Sequence, residues 1–219
     1  MLEAVLFDWG NTLTWLDWDE ELVAAGHRAA LGRDDPDFTA RWRTLALGRQ
    51  HGYRPYEELL AELGVEDPDG FIDREHEVWR SQYAVLASAQ ALLESLRDRG
   101  FKTGLVANSW PDPPRVLRAD AEELGLAPLL DTMVWAAEAG VRKPAPEIFL
   151  RACDELGIEP AAALFVGDDL VADVQGAAAV GMSTVQALWF RADESPEIEP
   201  DFQAFTAMDV LNIARRLAR

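Results

Sequence analysis

Short apolar runs alternate along this chain with stretches whose apolar residues recur at helical spacing. Five near-continuous apolar runs predict β-strands at residues 4–7, 103–107, 132–135, 163–166 and 183–188, and a weaker run predicts a sixth at 202–205. Helical patterns lie between them at residues 87–99, 114–124, 147–156 and 172–180. Strands that are apolar throughout are typical of a parallel sheet with helices on both faces. The pattern therefore predicts an α/β protein.

The connection between the first two strands is much longer than the others. Within it, helical patterns cover residues 20–31, 37–47, 56–63 and 71–83, and we expect no strand there. We therefore predict a core made of residues 1–13 and 84–219, with a helical cap inserted at residues 14–83. Because open α/β sheets bind ligands at the carboxyl ends of their strands, we expect the cap to lie over those ends.

Polar residues follow the first four strands at the points where the strands end. They are Asp8, then Asn108 and Ser109, then Lys143 in a Gly-Val-Arg-Lys-Pro sequence, and then Asp168, Asp169 and Asp173. The order and spacing of these residues resemble the haloacid dehalogenase-like (HAD) hydrolase superfamily, in the branch with a helical cap between the first and second motifs. The resemblance spans nearly the whole chain and implies a three-layer, Rossmann-like parallel sheet with the cap inserted.

Carboxylates that converge at neighbouring strand ends repel one another unless a cation lies between them. Oxygen ligands of this kind suit Mg²⁺, which also bridges readily to phosphate oxygens. The resemblance implies that Asp8 and Asp168 bind Mg²⁺ directly, together with the main-chain carbonyl of Gly10. Asp173 or Asp169 would then hold the water molecules bound to the metal.

The resemblance also implies a catalytic mechanism. Asp8 would attack phosphorus and form an aspartyl-phosphate that water then cleaves, while Lys143 would stabilise the transition-state oxygens. We expect Asn108, Ser109 and Thr12 to contact the substrate, with a loop-organising role for Thr12 as the alternative. The sequence thus predicts a Mg²⁺-dependent phosphatase that acts on a small phosphorylated metabolite.

Three positions depart from the pattern of HAD phosphatases. Gly10 stands where those enzymes place a second aspartate, which protonates the leaving group and activates water. Asn11 replaces a usual glycine, and Ala107 replaces a usual serine or threonine. Since acid–base help is worth about 10²–10⁴-fold in rate, we expect slow or unusual phosphoryl chemistry.

The charge balance restricts the possible partners. Twenty basic residues against 39 acidic ones leave a net charge of −19 at pH 7, which disfavours binding to nucleic acids and to anionic membranes. A phosphorylated substrate would therefore need local positive charge, which Lys143 and the metal would supply. A single cysteine, Cys153, and the lack of a signal-peptide pattern lead us to expect a cytoplasmic protein.

Related hydrolases that also lack the second aspartate offer alternatives. Phosphonoacetaldehyde hydrolases use a cap lysine, and residues 14–83 contain none, since Lys102 and Lys143 are the two lysines of the chain. Haloacid dehalogenases need no metal and carry a small polar residue where this chain has Asp168, which favours the phosphatase. A dehalogenase and a catalytically weak protein that binds or senses a phosphorylated ligand both remain open as alternatives.

Overall fold

The computed structural model describes residues 1–16, 19–47, 55–108, 112–195 and 197–218. In chain order, its strands are β1 (Ala4–Phe7), β2 (Thr14–Trp15), β3 (Ala84–Val85), β4 (Lys102–Ala107), β5 (Thr132–Trp135), β6 (Ala163–Gly167), β7 (Ser183–Ala187) and β8 (Phe202–Ala204). Six of these strands form one parallel sheet in the order β5-β4-β1-β6-β7-β8. All six predicted strands are confirmed, and so is the α/β fold.

Strand β1 lies near the middle of the sheet, between β4 and β6. Phe7 is in register with Leu105 of β4 on one side and with Val166 of β6 on the other. The first residue after β1 therefore lies between the carboxyl ends of both neighbours. This arrangement brings three of the predicted motifs to one place.

Helices cover both faces of the sheet. In chain order, the α-helices of the described residues are α1 (Glu20–Leu31), α2 (Pro36–Leu47), α3 (Tyr56–Glu62), α4 (Pro68–Arg80), α5 (Ala89–Arg97), α6 (Pro114–Glu123), α7 (Ala136–Ala139), α8 (Pro146–Leu156), α9 (Gly176–Ala179) and α10 (Ala207–Leu217). Side chains of β1 alternate between two apolar clusters: Val5 and Phe7 pack with α5 and α10, while Ala4 and Leu6 pack with α8 and α9. The result is three layers. Among the described ranges, no helix combines the length and the apolar composition that crossing a membrane requires.

Two helical regions differ from the sequence prediction. Helix α10 was not predicted, although Thr206 and Asp209 form a capping box at its start and Val210 and Leu211 are buried. The helix predicted at residues 172–180 instead begins as a π-helix, Leu170–Gln175, and continues as α9. Hydrophobic spacing does not distinguish these two kinds of helix.

The four helices α1–α4 lie in the long connection between β1 and β4, as predicted. One correction concerns the prediction that this connection contains no strand. Thr14–Trp15 forms β2, which pairs antiparallel with β3 through Thr14 with Val85 and Trp15 with Ala84. A two-residue strand carries too little hydrophobic pattern to be recognised, and its pairing depends on a segment about seventy residues away. The β2–β3 pair joins the two points where the chain enters and leaves the helical insertion (residues 14–83).

Candidate active site

A cleft of about 290 Å³ opens at the carboxyl edge of the sheet. Its walls include most of the polar residues that the sequence singled out, namely Asp8, Gly10, Asn108, Lys143, Asp168, Asp169 and Asp173. Of these, Asp8, Lys143, Asp168 and Asp173 are buried, each 8 % exposed or less. The structure thus brings together residues that are up to 165 positions apart in sequence, Asp8 and Asp173 being the extremes.

The loop after β1 folds tightly around one carbonyl. The Trp9 oxygen accepts hydrogen bonds from the main-chain N–H groups of Leu13 and Thr14, at 3.0 and 2.9 Å, and from the Thr14 hydroxyl at 3.1 Å. Asn11 takes a φ of 56° in this loop, and asparagine tolerates that left-handed conformation better than most residues. The departure from the usual glycine therefore preserves the loop.

Thr12 does not line the cleft, unlike the other predicted site residues named above. It is fully buried, its hydroxyl has no hydrogen-bond partner, and its carbonyl accepts a hydrogen bond from the Trp189 indole at 2.9 Å. Thr12 is absent from the described residues that line the cleft. The structure thus places Thr12 beneath the loop and away from the cleft surface.

Lys143 is the central cation of the cleft. Its Nζ lies 2.5 Å from Oδ1 of Asp8 and 2.6 Å from Oδ1 of Asp173. Burial by itself would lower the pKa of Lys143, but the negative charges of Asp173 and Asp8 outweigh burial and raise the pKa above its usual value. Lys143 is therefore a permanent positive charge beside Asp8.

Three carboxylates face each other around this lysine. One oxygen from each of Asp8, Asp168 and Asp173 lies within 4.8 Å of the others. Burial raises the pKa of Asp8, against the effect of Lys143, and burial together with the Asp173 charge raises the pKa of Asp168 to about 6. So much buried negative charge is unfavourable unless a cation neutralises it.

The donor set fits a hard divalent cation. Oδ2 of Asp168 is buried without a hydrogen-bond partner, and its nearest cation is Arg191, with Nη1 at 3.5 Å. Asp173 differs, since its Oδ1 accepts from Lys143 and its Oδ2 from the Asp169 N–H at 3.1 Å. Asp8 and Asp168 therefore offer oxygen to a metal more readily than Asp173 does.

A glycine and the π-helix together place Asp173. A Cβ added to Gly167 would clash with the carboxylate of Asp173, so this close approach requires glycine. Asp169 caps the π-helix, because its Oδ1 accepts from the N–H groups of Val171 and Ala172 at 2.9 and 2.7 Å. The wider turn of the π-helix folds Asp173 back onto the end of β6.

Asn108 holds the main chain of Lys143. Its Oδ1 accepts from the Lys143 N–H at 2.8 Å, and its Nδ2 donates to the Lys143 carbonyl at 3.1 Å. Ala107, at the end of β4, is buried and lines the cleft without a hydroxyl. The predicted residue Ser109 lies outside the described residues.

Several residues of the cleft were not identified from the sequence. Tyr83, Asp112, Trp135, Arg142 and Arg191 all line it. Arg142 could have been found from its position next to Lys143. Asp112 lies in the loop between β4 and α6, and no local motif distinguishes it from a surface turn residue.

Comparisons with known proteins identify relatives of this chain. A family model described as "haloacid dehalogenase-like hydrolase" matches residues 2–181. The chain is 33% identical to a glyceraldehyde 3-phosphate phosphatase of Methanopyrus kandleri, with all of both chains covered. It is 31% identical to an N-acetylmuramic acid 6-phosphate phosphatase of Pseudomonas aeruginosa, over 84% of this chain and 80% of that one.

Solved structures show the same fold. An HAD phosphatase from Thermococcus onnurineus superposes with a TM-score of 0.76 and 27% identity, covering 97% of both chains. A 2-haloacid dehalogenase from Pseudomonas syringae gives a TM-score of 0.75 at 23% identity, over 99% of this chain and all of that one, a likeness of fold. The protein is thus a hydrolase with a Rossmann-like core. It belongs to the haloacid dehalogenase-like hydrolases.

Proposed function

We propose that this protein is a Mg²⁺-dependent phosphatase that hydrolyses a small phosphorylated metabolite through an aspartyl-phosphate on Asp8. The observation that carries the proposal is the convergence of Asp8, Asp168 and Asp173 around Lys143 in one cleft. Two relatives with about a third of their residues identical are named as phosphatases of small phosphorylated compounds, which supports the same reaction here.

Asp8 would act as the nucleophile. Its main-chain N–H donates to the Val166 carbonyl at 2.9 Å, which fixes the carboxylate at the rigid end of β1. Lys143 orients Oδ1 of Asp8, so the other carboxylate oxygen is available to attack phosphorus. As the P–O bond to the leaving group breaks, the charges of Lys143 and Arg142 would stabilise the phosphoryl oxygens.

Asp8, Asp168 and the Gly10 carbonyl would hold Mg²⁺, with Asp173 fixing the water molecules around it. The metal would supply positive charge that offsets both the buried carboxylates and the phosphate dianion. The cleft needs that charge, since its described walls carry five carboxylates and three cationic side chains.

We further propose that residues 14–83 act as a cap over the site. Thr14, Leu16 and Tyr83, near the two ends of the insertion, line the cleft together with the core residues. A cleft of about 290 Å³ is at the small end of ligand pockets, which suits a metabolite with few atoms beyond its phosphate.

The test is turnover of a nitrophenyl phosphate and of a panel of small phosphorylated metabolites, with and without Mg²⁺. We expect metal-dependent release of phosphate from the wild type and none from Asp8→Asn, which is nearly isosteric but cannot form the acyl-phosphate. Asp168→Ala should weaken Mg²⁺ binding, measured by calorimetry, and turnover together. Halide release without metal would instead support a dehalogenase, and ligand binding without turnover would support a binding or regulatory protein.

A further inference from the structure

The cleft lacks a carboxylate at Gly10, where HAD phosphatases carry their acid–base aspartate. No atom lies within 4 Å of the position that a Gly10 Cβ would occupy. The leaving oxygen of a phosphate ester needs a proton unless it is already a stable anion. Another group along the described walls of the cleft would therefore have to carry this proton.

Most carboxylates along these walls already have another role in the site. Asp8 and Asp173 are bound to Lys143, Asp169 caps the π-helix, and Asp168 belongs to the three-carboxylate cluster. These interactions leave Asp112 as the carboxylate of the described cleft wall that touches neither Lys143 nor the carboxylate cluster.

The two other groups that could donate a proton hold it tightly. Burial raises the pKa of the Tyr83 hydroxyl, and the charges of Asp112 and Asp120 raise it further. The neighbouring carboxylates also raise the pKa of Lys143. Neither group is suited to giving up and regaining a proton during turnover.

Asp112 lies beside an ionisable partner, His76, with which it forms an ion pair. It is 4 % exposed, and its Oδ1 lies 3.1 Å from Nδ1 of His76, a buried residue of α4. The other ring nitrogen of His76, Nε2, lies 2.8 Å from Oδ2 of Asp120 on α6. Burial would lower the pKa of His76, but the two aspartates raise it to about 10. This value lies below the raised pKa values of Tyr83 and Lys143, so the ring carries a proton that it releases more readily than those two groups do.

We propose that Asp112 is the acid–base catalyst of this enzyme, in place of the aspartate missing at Gly10, and that His76 is its positioning residue. The inference rests on the proposed phosphatase function. In the first step, the bond from Asp8 to phosphorus forms, the bond from phosphorus to the leaving oxygen breaks, and that oxygen takes one proton from the Asp112–His76 pair through Asp112. In the second step, water attacks phosphorus, Asp8 leaves as a carboxylate, and the proton lost by water returns to the pair.

Leaving-group dependence tests this assignment. Asp112→Asn keeps the side-chain shape but cannot transfer the proton, so kcat on an alkyl phosphate should fall by about 10²-fold or more. The fall on a nitrophenyl phosphate should be less than about tenfold, because its leaving group is a stable anion. Glu123→Gln is the matched control: Glu123 is a carboxylate of α6 that pairs with Arg80 at 2.5 Å and does not line this cleft, so kcat should be unchanged on both substrates.

Three outcomes overturn the proposal, each in a different way. Equal losses on both substrates in Asp112→Asn would make Asp112 a structural residue. Unchanged alkyl phosphate turnover in Asp112→Asn would assign the proton to another group and leave the proposed phosphatase function intact. A wild type that is inert on every phosphate ester would overturn the phosphatase function, and this inference with it.

Discussion

The side-chain amide of Asn108 hydrogen-bonds both main-chain polar groups of Lys143, its N–H and its carbonyl. One hydrogen bond runs from the Lys143 N–H to Oδ1 of Asn108, at 2.8 Å, and a second runs from Nδ2 to the Lys143 carbonyl, at 3.1 Å. Since Nζ of Lys143 contacts both Asp8 and Asp173, the amide of Asn108 fixes the backbone from which that cation extends. The contacts described for Asn108 are thus with the protein itself, and its contact with a substrate stays a prediction.

Removing this amide should therefore weaken catalysis through Lys143. Asn108→Ala loses both hydrogen bonds, and we expect the free energy of unfolding to fall by about 1–3 kcal/mol and kcat to fall clearly more than Mg²⁺ affinity. Asn108→Asp is the partial control, because it keeps the acceptor for the Lys143 N–H. Steady-state kinetics with Mg²⁺ titration measures both effects, and an unchanged kcat in Asn108→Ala would show that Lys143 needs no such support.

A carboxylate at position 10 should add an acid–base group at the position where the HAD phosphatase pattern has one. The φ of Gly10 is not in the left-handed region and the space around it is open, so Gly10→Asp should fold. We expect kcat on an alkyl phosphate to rise, and the gain to be larger in the Asp112→Asn background, where up to about 10²–10⁴-fold is available. A folded, Mg²⁺-binding double variant with no gain would show that a carboxylate at position 10 does not reach the leaving oxygen.

Gly167→Ala should disrupt the position of the Asp173 carboxylate in the site. Its Cβ would clash with the Asp173 carboxylate, so Asp173 must move away from Lys143. We expect a loss of about 1–3 kcal/mol in stability, as is typical of overpacking, together with a large loss of turnover. Gly10→Ala adds the same methyl group in open space, so its stability should change by less than about 0.5 kcal/mol. Equal denaturation midpoints for the two variants would contradict the close approach.

Two buried histidines should give the protein opposite stability slopes with pH. The pKa of His76 is raised to about 10 in the folded protein, above its unfolded value near 6.5. Its contribution is therefore full below pH 6.5 and is lost as pH rises toward 10. Burial lowers the pKa of His27 to about 4, so the folded state disfavours the charged form, and stability is lost as pH falls from 6.5 toward 4.

Urea denaturation at several pH values measures these slopes. Between pH 7 and 9 the wild type should lose up to about 1.4 kcal/mol per pH unit from His76, and His76→Gln should remove most of that slope. His76→Gln should still lose stability as the pH falls below 6, because that loss comes from His27. If the alkaline slope is identical in wild type and His76→Gln, His76 is not held protonated by Asp112 and Asp120.

The sequence by itself determined the six strands of the sheet, most of the helices, and the polar residues that follow several of the strands. Apolar runs, five of them near-continuous and one weaker, predicted all six strands of the sheet, because strands covered on both faces are apolar throughout. The motifs around Asp8, Lys143 and Asp168 were identifiable because each lies directly beside a recognisable strand or loop. The absence of an acid–base group at Gly10 was equally visible, since a local motif fixes that position.

Only the tertiary structure decided which of these residues meet and how. The position of β1 between β4 and β6 determines that Asp8, Asn108 and Asp168 share one edge, and this strand order results from the packing of the whole chain. The contact of His76 with Asp112 joins the helical insertion to a loop of the core, 36 residues further along the chain. Hydrophobic periodicity indicates which face of a helix or strand is buried, but it does not indicate which other element packs against that face. Long-range contacts between charged side chains, such as those of Asp112, therefore appear only when the chain is folded.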